Sequence, residues 1–440
     1  MSRPLVLSPS VRRLRSLPVA GSLALLAVLA LATAPAFAQR VDAQTRTIAL
    51  EPSGGDDTAA VQAALDACVA FGPGCTVQLG EGTFRTQQLL VHDFHGTFRG
   101  AGQDDTVLEP FERFTVSQDE VAIGRPPSPD NPWPFHVTFV GGDVTVSDLT
   151  FRMTEAEPAH PWTLFGMEFE VMASSLVITG ERADATLERI TVQGAEGPFE
   201  GYNIINGIYI EGLLPDAEGN PTRPLRGTFT VRDSTFRHVA YGSPLFNLEG
   251  AQVLIADNRY EDLIAGMDTQ DLTGSTVEIR GNVMDDVDSG VEVIQGSAAV
   301  PETPSTLLIH GNTIRGPERF GVGLDGAEGA DTLRAIVRGN VFELRGDATG
   351  VLSQHTVGAI VHDNVMRGSA RAAIAIGVTP DDEPAPPVER WLVAANDLSG
   401  LTVSEAMVVL GPGSRDTTVV CTVAAAVRDE GTGNRVDCDL

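Results

Sequence analysis

The chain contains no lysine: all 30 of its basic residues are arginine. That absence excludes Schiff-base chemistry, a lysine general base and a Walker-type phosphate loop. Cysteine is scarce, four in 440 residues, so a disulfide-dense mini-protein is excluded as well. Positive charge is outnumbered, with 59 acids and a formal net charge of −29. Such a surface repels nucleic acid and anionic membrane, and it suits a polyanionic partner only where Ca²⁺ bridges the charges. Aromatics are few at 6%, while glycine reaches 46. That balance, with 42% hydrophobic residues, favours a large soluble all-β or repeat protein over a helical bundle.

The first 38 residues read as a bacterial-type cleavable signal peptide. Arg3, Arg12, Arg13 and Arg15 form a basic head, 17–32 is apolar and rich in small residues, and Ala36-Phe37-Ala38 precedes Gln39 as an A-x-A cleavage site. The apolar run is short for a membrane anchor, so no stable membrane insertion is expected. Removing this acid-free segment with its four arginines leaves −33, and the mature protein is expected to be secreted or periplasmic. Export makes disulfides the natural use of cysteine. The local pairing, Cys68 with Cys75 and Cys421 with Cys438, would close two short loops near opposite ends.

Repeats decide the fold. Two or three apolar residues, one polar residue and an Asn preceded by Gly or Asp recur as VLIADN (253–258), VEIRGN (277–282), LLIHGN (307–312), AIVRGN (335–340) and AIVHDN (359–364), with LVAAN (392–396) as a weaker sixth. The asparagines are 24, 30, 28, 24 and 32 residues apart, as expected of a constant core with variable loops. Most units carry a second short strand of the form Gly-apolar-x-apolar-x: GIYIE (207–211), GMDTQ (266–270), GVEVI (290–294), GVGLD (321–325) and GVLSQ (350–354). Strands this short cannot bury an apolar face alone, but stacked as coils they close one long core. A parallel β-helix follows. The asparagines are expected to form a structural ladder rather than a site.

DDTAAVQAALDA (56–67) predicts a capped amphipathic helix over the first coil, ahead of a strand at 76–79. With VQLGEGTF (77–84) and GTFRGAGQDDTVL (96–108), it resembles the opening of the pectate-lyase-like superfamily of right-handed parallel β-helix proteins. The resemblance implies a single all-β domain over 48–440, preceded by a short linker at 39–47. It does not carry catalytic roles across. Of the polygalacturonase stretches, Asp285-Asp286 is present, Gly-His-Gly is missing and Arg-Ile-Lys cannot occur without lysine. The methylesterase and pectate lyase motifs meet only a scrambled 270–273 and a shortened 223–226.

Period-two alternation fixes which side chains leave the core. With Pro244 aligned on the glycines, one outward column is expected to hold Tyr209, Phe246, Asp268, Glu292, Gly323 and Leu352. A second holds Glu211, Glu249, Gln270, Gln295, Asp325 and Gln354, with bulges at Glu249 and Gln295. Coils stack about 4.8 Å apart, so an extended polysaccharide can lie along these columns. Asp268 and Glu292, one coil apart, form the candidate catalytic pair, with carboxyls at roughly the 5 Å of a retaining glycosidase. Glu249 and Glu292 offer the wider, inverting alternative. Tyr209, Glu211, Phe246, Glu249, Gln270 and Asp325 are the candidate substrate-binding residues. A lyase alternative draws on His238 and Tyr241 near Arg237 and Arg259. Ca²⁺ is a candidate cofactor through Asp285, Asp286, Asp288 and Glu292, against a plain solvated loop. The expected protein is therefore a monomeric, exported carbohydrate-active hydrolase or lyase. Its rival is a non-catalytic β-helix that binds glycan or serves as a surface scaffold.

Overall fold

A computed structural model describes residues 39–42, 46–111, 135–153, 162–164, 167–169, 171–194, 203–212, 223–295, 303–326, 333–378, 387–420 and 426–437. The expected signal peptide and Cys421 with Cys438 lie outside the described residues. The chain winds as a right-handed parallel β-helix, with nearly all its strands joined in one sheet system. The repeat pattern dictates this winding. Val253, Val277, Leu307 and Ala335 lie above one another in successive parallel strands, as do Ile255, Ile279, Ile309 and Val337, and all eight are buried. Each aliphatic side chain thus meets its counterpart from the next coil, a gain of roughly 1.5–3 kcal/mol per buried Val, Leu or Ile.

The helix α1 (Thr58–Phe71) covers the N-terminal end and buries Val61, Ala64, Leu65 and Cys68. Asp57 makes no side-chain cap. Its carboxylate accepts instead from the Ser53 and Arg85 amides, while Asp56 Oδ1 accepts from the Thr58 amide. Cys68 bonds Cys75, as expected, across a Cα separation of 5.3 Å. The stretch 39–47, read as a linker, supplies a strand at Gln39–Asp42 that pairs antiparallel with Thr47–Leu50.

The asparagines form a continuous buried ladder. In each step the side-chain Nδ2 of one Asn donates to Oδ1 of the next, from Asn258 through Asn282, Asn312, Asn340 and Asn364 to Asn396, at 2.9–3.1 Å. The same Oδ1 accepts the preceding Asn's backbone N–H, and Nδ2 also donates to a core-strand carbonyl such as Val231 O or Ile279 O. The repeated Gly or Asp before each Asn now has a cause. Residues 257, 281, 311, 339, 363 and 395 all have φ between 55° and 66°, a region costly for most side chains.

Candidate functional site

The outward face is carried by β1 (Asn203–Glu211), β2 (Leu245–Glu249), β3 (Arg259–Thr273), β4 (Val283–Ile294), β5 (Phe320–Asp325), β6 (Thr349–Gln354), β7 (Ala372–Ile376) and β8 (Val408–Leu410). A glycine column, Gly207, Gly242, Gly266, Gly290, Gly321 and Gly350, sets the register. A Cβ at Gly242 would stand 2.5 Å from the Tyr260 ring and one at Gly350 2.7 Å from Met366 Sδ. After each glycine the side chains alternate. Met267, Thr269, Val291 and Val293 point into the core, and Asp268 and Glu292 point out, directly paired across β3 and β4.

This register corrects part of the expected columns. The glycine of the β2 coil is Gly242, not the position of Pro244. Pro244 therefore falls in the first column, and Phe246 moves to the second, between Glu211 and Gln270. Ile294, not Gln295, pairs with Gln270 and Asp325, so no bulge is needed. Glu249 pairs with Thr273 and binds Arg226 at 2.7 Å, which removes it from the track and with it the wider acid pair. The first column reads Tyr209, Pro244, Asp268, Glu292, Gly323, Leu352. The second reads Glu211, Phe246, Gln270, Ile294, Asp325, Gln354.

The acids sit in unequal surroundings. Asp268 is 4% exposed; Gln270 Nε2 donates to its Oδ2 at 2.9 Å, and Oδ1 has no partner among the described residues. Burial, together with the facing Glu292, pushes its pKa up to about 8, so it is protonated at neutral pH. Glu292 is also raised by burial, but Arg319 lies 3.7 Å away and opposes the shift. Glu211 is 4% exposed, and burial alone drives its pKa well upward. Tyr241, half-buried, is held as a neutral phenol by burial and by Asp268 and Glu292. Arg319 and the His355–Asp325 pair, 2.8 Å apart, were not expected. Arg319 precedes the glycine column by two residues, at the position of Asp288, whose carbonyl accepts its N–H.

Tyr209 departs from its expected role. It is 3% exposed and packed with Phe135 and Val177, while Phe246 meets its ring edge-on at 5.1 Å, so its faces are not open to a sugar. Phe246, Gln270, Glu292 and Asp325 are only partly buried.

The lyase set separates. His238 Nδ1 bonds Asp262 at 2.9 Å, Arg237 donates to Gln193, and Arg259 lies with Glu261 and Asp285. The acids suggested for Ca²⁺ divide in the same way. Asp285 is held by Arg259 and Arg315, and Asp286 by Arg345. Among the described residues no three His, Cys, Asp or Glu stand together as metal ligands.

No family model matches the chain, and no curated protein matches it in sequence. Solved structures do. The chain is similar to the A-module of the mannuronan C-5 epimerase AlgE6 of Azotobacter vinelandii, at 15% identity over 88% of this chain and 96% of that one, with a TM-score of 0.43. It is also similar to an exopolygalacturonase from Thermotoga maritima (10%, 94% and 96%, 0.48) and to PfbA, a surface adhesin of Streptococcus pneumoniae (11%, 84% and 90%, 0.42). The parallel winding is the architecture expected from the sequence, and a fold by itself leaves the chemistry to the site. Among the described residues no helix is long and apolar enough to cross a membrane.

Proposed function

We propose that the protein is an exported glycoside hydrolase acting on an extended polysaccharide laid along the outward columns. One observation carries this reading: Asp268 and Glu292 are directly paired on adjacent coils in unequal surroundings, Asp268 buried and Glu292 partly open beside Arg319. Asp268, neutral at pH 7, donates its proton to the glycosidic oxygen as that bond breaks. Glu292, whose upward shift Arg319 opposes, attacks the anomeric carbon as its carboxylate; adjacent coils set the two carboxyls about 5 Å apart, the spacing of a retaining enzyme. Water then hydrolyses the glycosyl ester, with Asp268 now accepting the proton. Elimination is less well supported, because Tyr241 is a neutral phenol and His238 is engaged by Asp262.

The burial of Tyr209 and Asp268 favours a second reading, a glycan-binding or scaffold β-helix whose outer wall is closed at this point. A panel of neutral and uronate polysaccharides, followed by reducing-end release and unsaturated-uronate absorbance, decides between them. Reducing ends lost in Asp268→Asn and Glu292→Gln support the hydrolase. Unsaturated products support a lyase, and binding without turnover supports the scaffold.

A further inference from the structure

Beyond the acid pair, toward the C-terminal end, the same face changes character. The column continues from Glu292 through Gly323, Leu352 and Ala375 to Val409. The Phe320 ring lies across the first of these rungs, since a Cβ on Gly323 would stand 2.5 Å from it. Ala372, Ala375, Ala406 and Val409 then form a buried apolar cluster, with Leu352 and Val378 packed against it. Because these side chains are small, the wall sinks here into a hollow of about 170 Å³.

Four charged side chains line it: Arg319, Asp347, Arg371 and Glu405. Their charges cancel. Arg319 faces Glu292 and lies 5.0 Å from the Phe320 ring centre, and Arg371 Nε donates to Glu405 at 2.7 Å while Arg428 binds the other Glu405 oxygen. Among the described residues each guanidinium lining the hollow has an acidic neighbour, in a protein that is otherwise strongly acidic. What the hollow offers is a small apolar surface inside a neutral rim.

We infer that this hollow is a subsite for a small ester-linked acyl substituent on a sugar unit seated C-terminal to the acid pair. The inference rests on the glycan-acting reading and deepens it by naming the substrate class, a substituted rather than a bare polysaccharide. Leu352 stands two rungs from Glu292, about 10 Å, within reach of a neighbouring sugar in the same chain. A substituent carried there leaves water for apolar contact, and a glycan lacking it leaves the hollow unfilled.

The mature protein is titrated with acetylated xylan, acetylated mannan and acetylated pectin, each beside its alkali-deacetylated form. Methyl glucoside and its peracetylated form serve as small probes, and binding is read by calorimetry. We expect the acetylated form to bind more tightly by about tenfold or more. Ala375→Leu, which fills the hollow, should abolish that preference and leave affinity for the deacetylated form unchanged. Leu352→Gln, at a half-buried position, tests the same contact if the first variant fails to fold. Equal or tighter binding of the deacetylated forms overturns the inference. So does a preference that survives both variants, or no binding by any acetylated probe. Preference without turnover would sink the hydrolase reading alone; turnover without preference would sink only the subsite.

Discussion

Two groups of buried polar side chains stand out in this molecule, and they differ in how completely they are satisfied. In the asparagine ladder, an inner member such as Asn312 uses both Nδ2 hydrogens and accepts two hydrogen bonds at Oδ1. On the outward face, Asp268 keeps one oxygen without a partner among the described residues, and Glu211 is desolvated by burial. A network satisfied at every atom stabilises and fixes register. A group of under-satisfied acids costs stability and holds protons poised for transfer. The first is a device of the fold, and the second marks the candidate site.

The contrast breaks most sharply in activity. Asp268→Asn and Glu292→Gln should each lower turnover by about a hundredfold or more, while Asn312→Ala should leave the rate per folded molecule nearly unchanged, as measured by reducing-end release. Stability should show the reverse ranking. Asn312→Ala strands several buried partners and is expected to cost roughly 3 kcal/mol in denaturant unfolding, with Asn340→Ala similar. Asp268→Asn should not destabilise at all near pH 8. In the folded protein Asp268 keeps its proton up to about pH 8, whereas in the unfolded chain it ionises near 3.8. The folded state therefore binds more protons across that window, and stability falls as pH rises through it, by up to about 1.4 kcal/mol per pH unit. Asn at 268 should flatten that slope in melting curves taken between pH 5 and pH 8, windows set by about those two values.

His136 gives the opposite slope. Full burial lowers its pKa from 6.5 to about 3, while its Nε2 lies 2.8 Å from Thr86 Oγ1. Between those values the unfolded chain binds the extra proton, so stability falls as pH drops through the window, and His136→Gln should lessen that loss. The smallest effect is expected for Arg319→Gln. Without the guanidinium, Glu292 should titrate higher, moving the acid limb of the pH–rate profile upward by about a unit or less with little change in melting temperature.

The ladder was legible because its signal is local. A positive φ before each buried Asn favours Gly or Asp there, and five of the six copies carry one, Ala395 being the exception. The outward columns were legible wherever a glycine marked the corner unambiguously. They failed at the coil of Gly242, Ser243 and Pro244, where the polar Ser243 takes an inward position and bonds the Tyr260 hydroxyl, so alternation of polarity pointed two residues too far on. Arg319 was missed because its place depends on which coil stacks upon which, and that is set by loop lengths. The burial of Tyr209 and Asp268 was illegible for a related reason. Alternation says that a side chain leaves the core, but whether it then meets solvent depends on what other parts of the chain place over it.

Because every step of the asparagine spine is the same pair of amide contacts whether 24 or 32 residues separate its members, the distance between rungs does not depend on the length of chain between them. Loops can lengthen, shorten or be exchanged at the outer wall while the spine keeps its pitch. A whole coil, cut from one asparagine to the next, is thus an interchangeable part, and the wall could be rebuilt rung by rung.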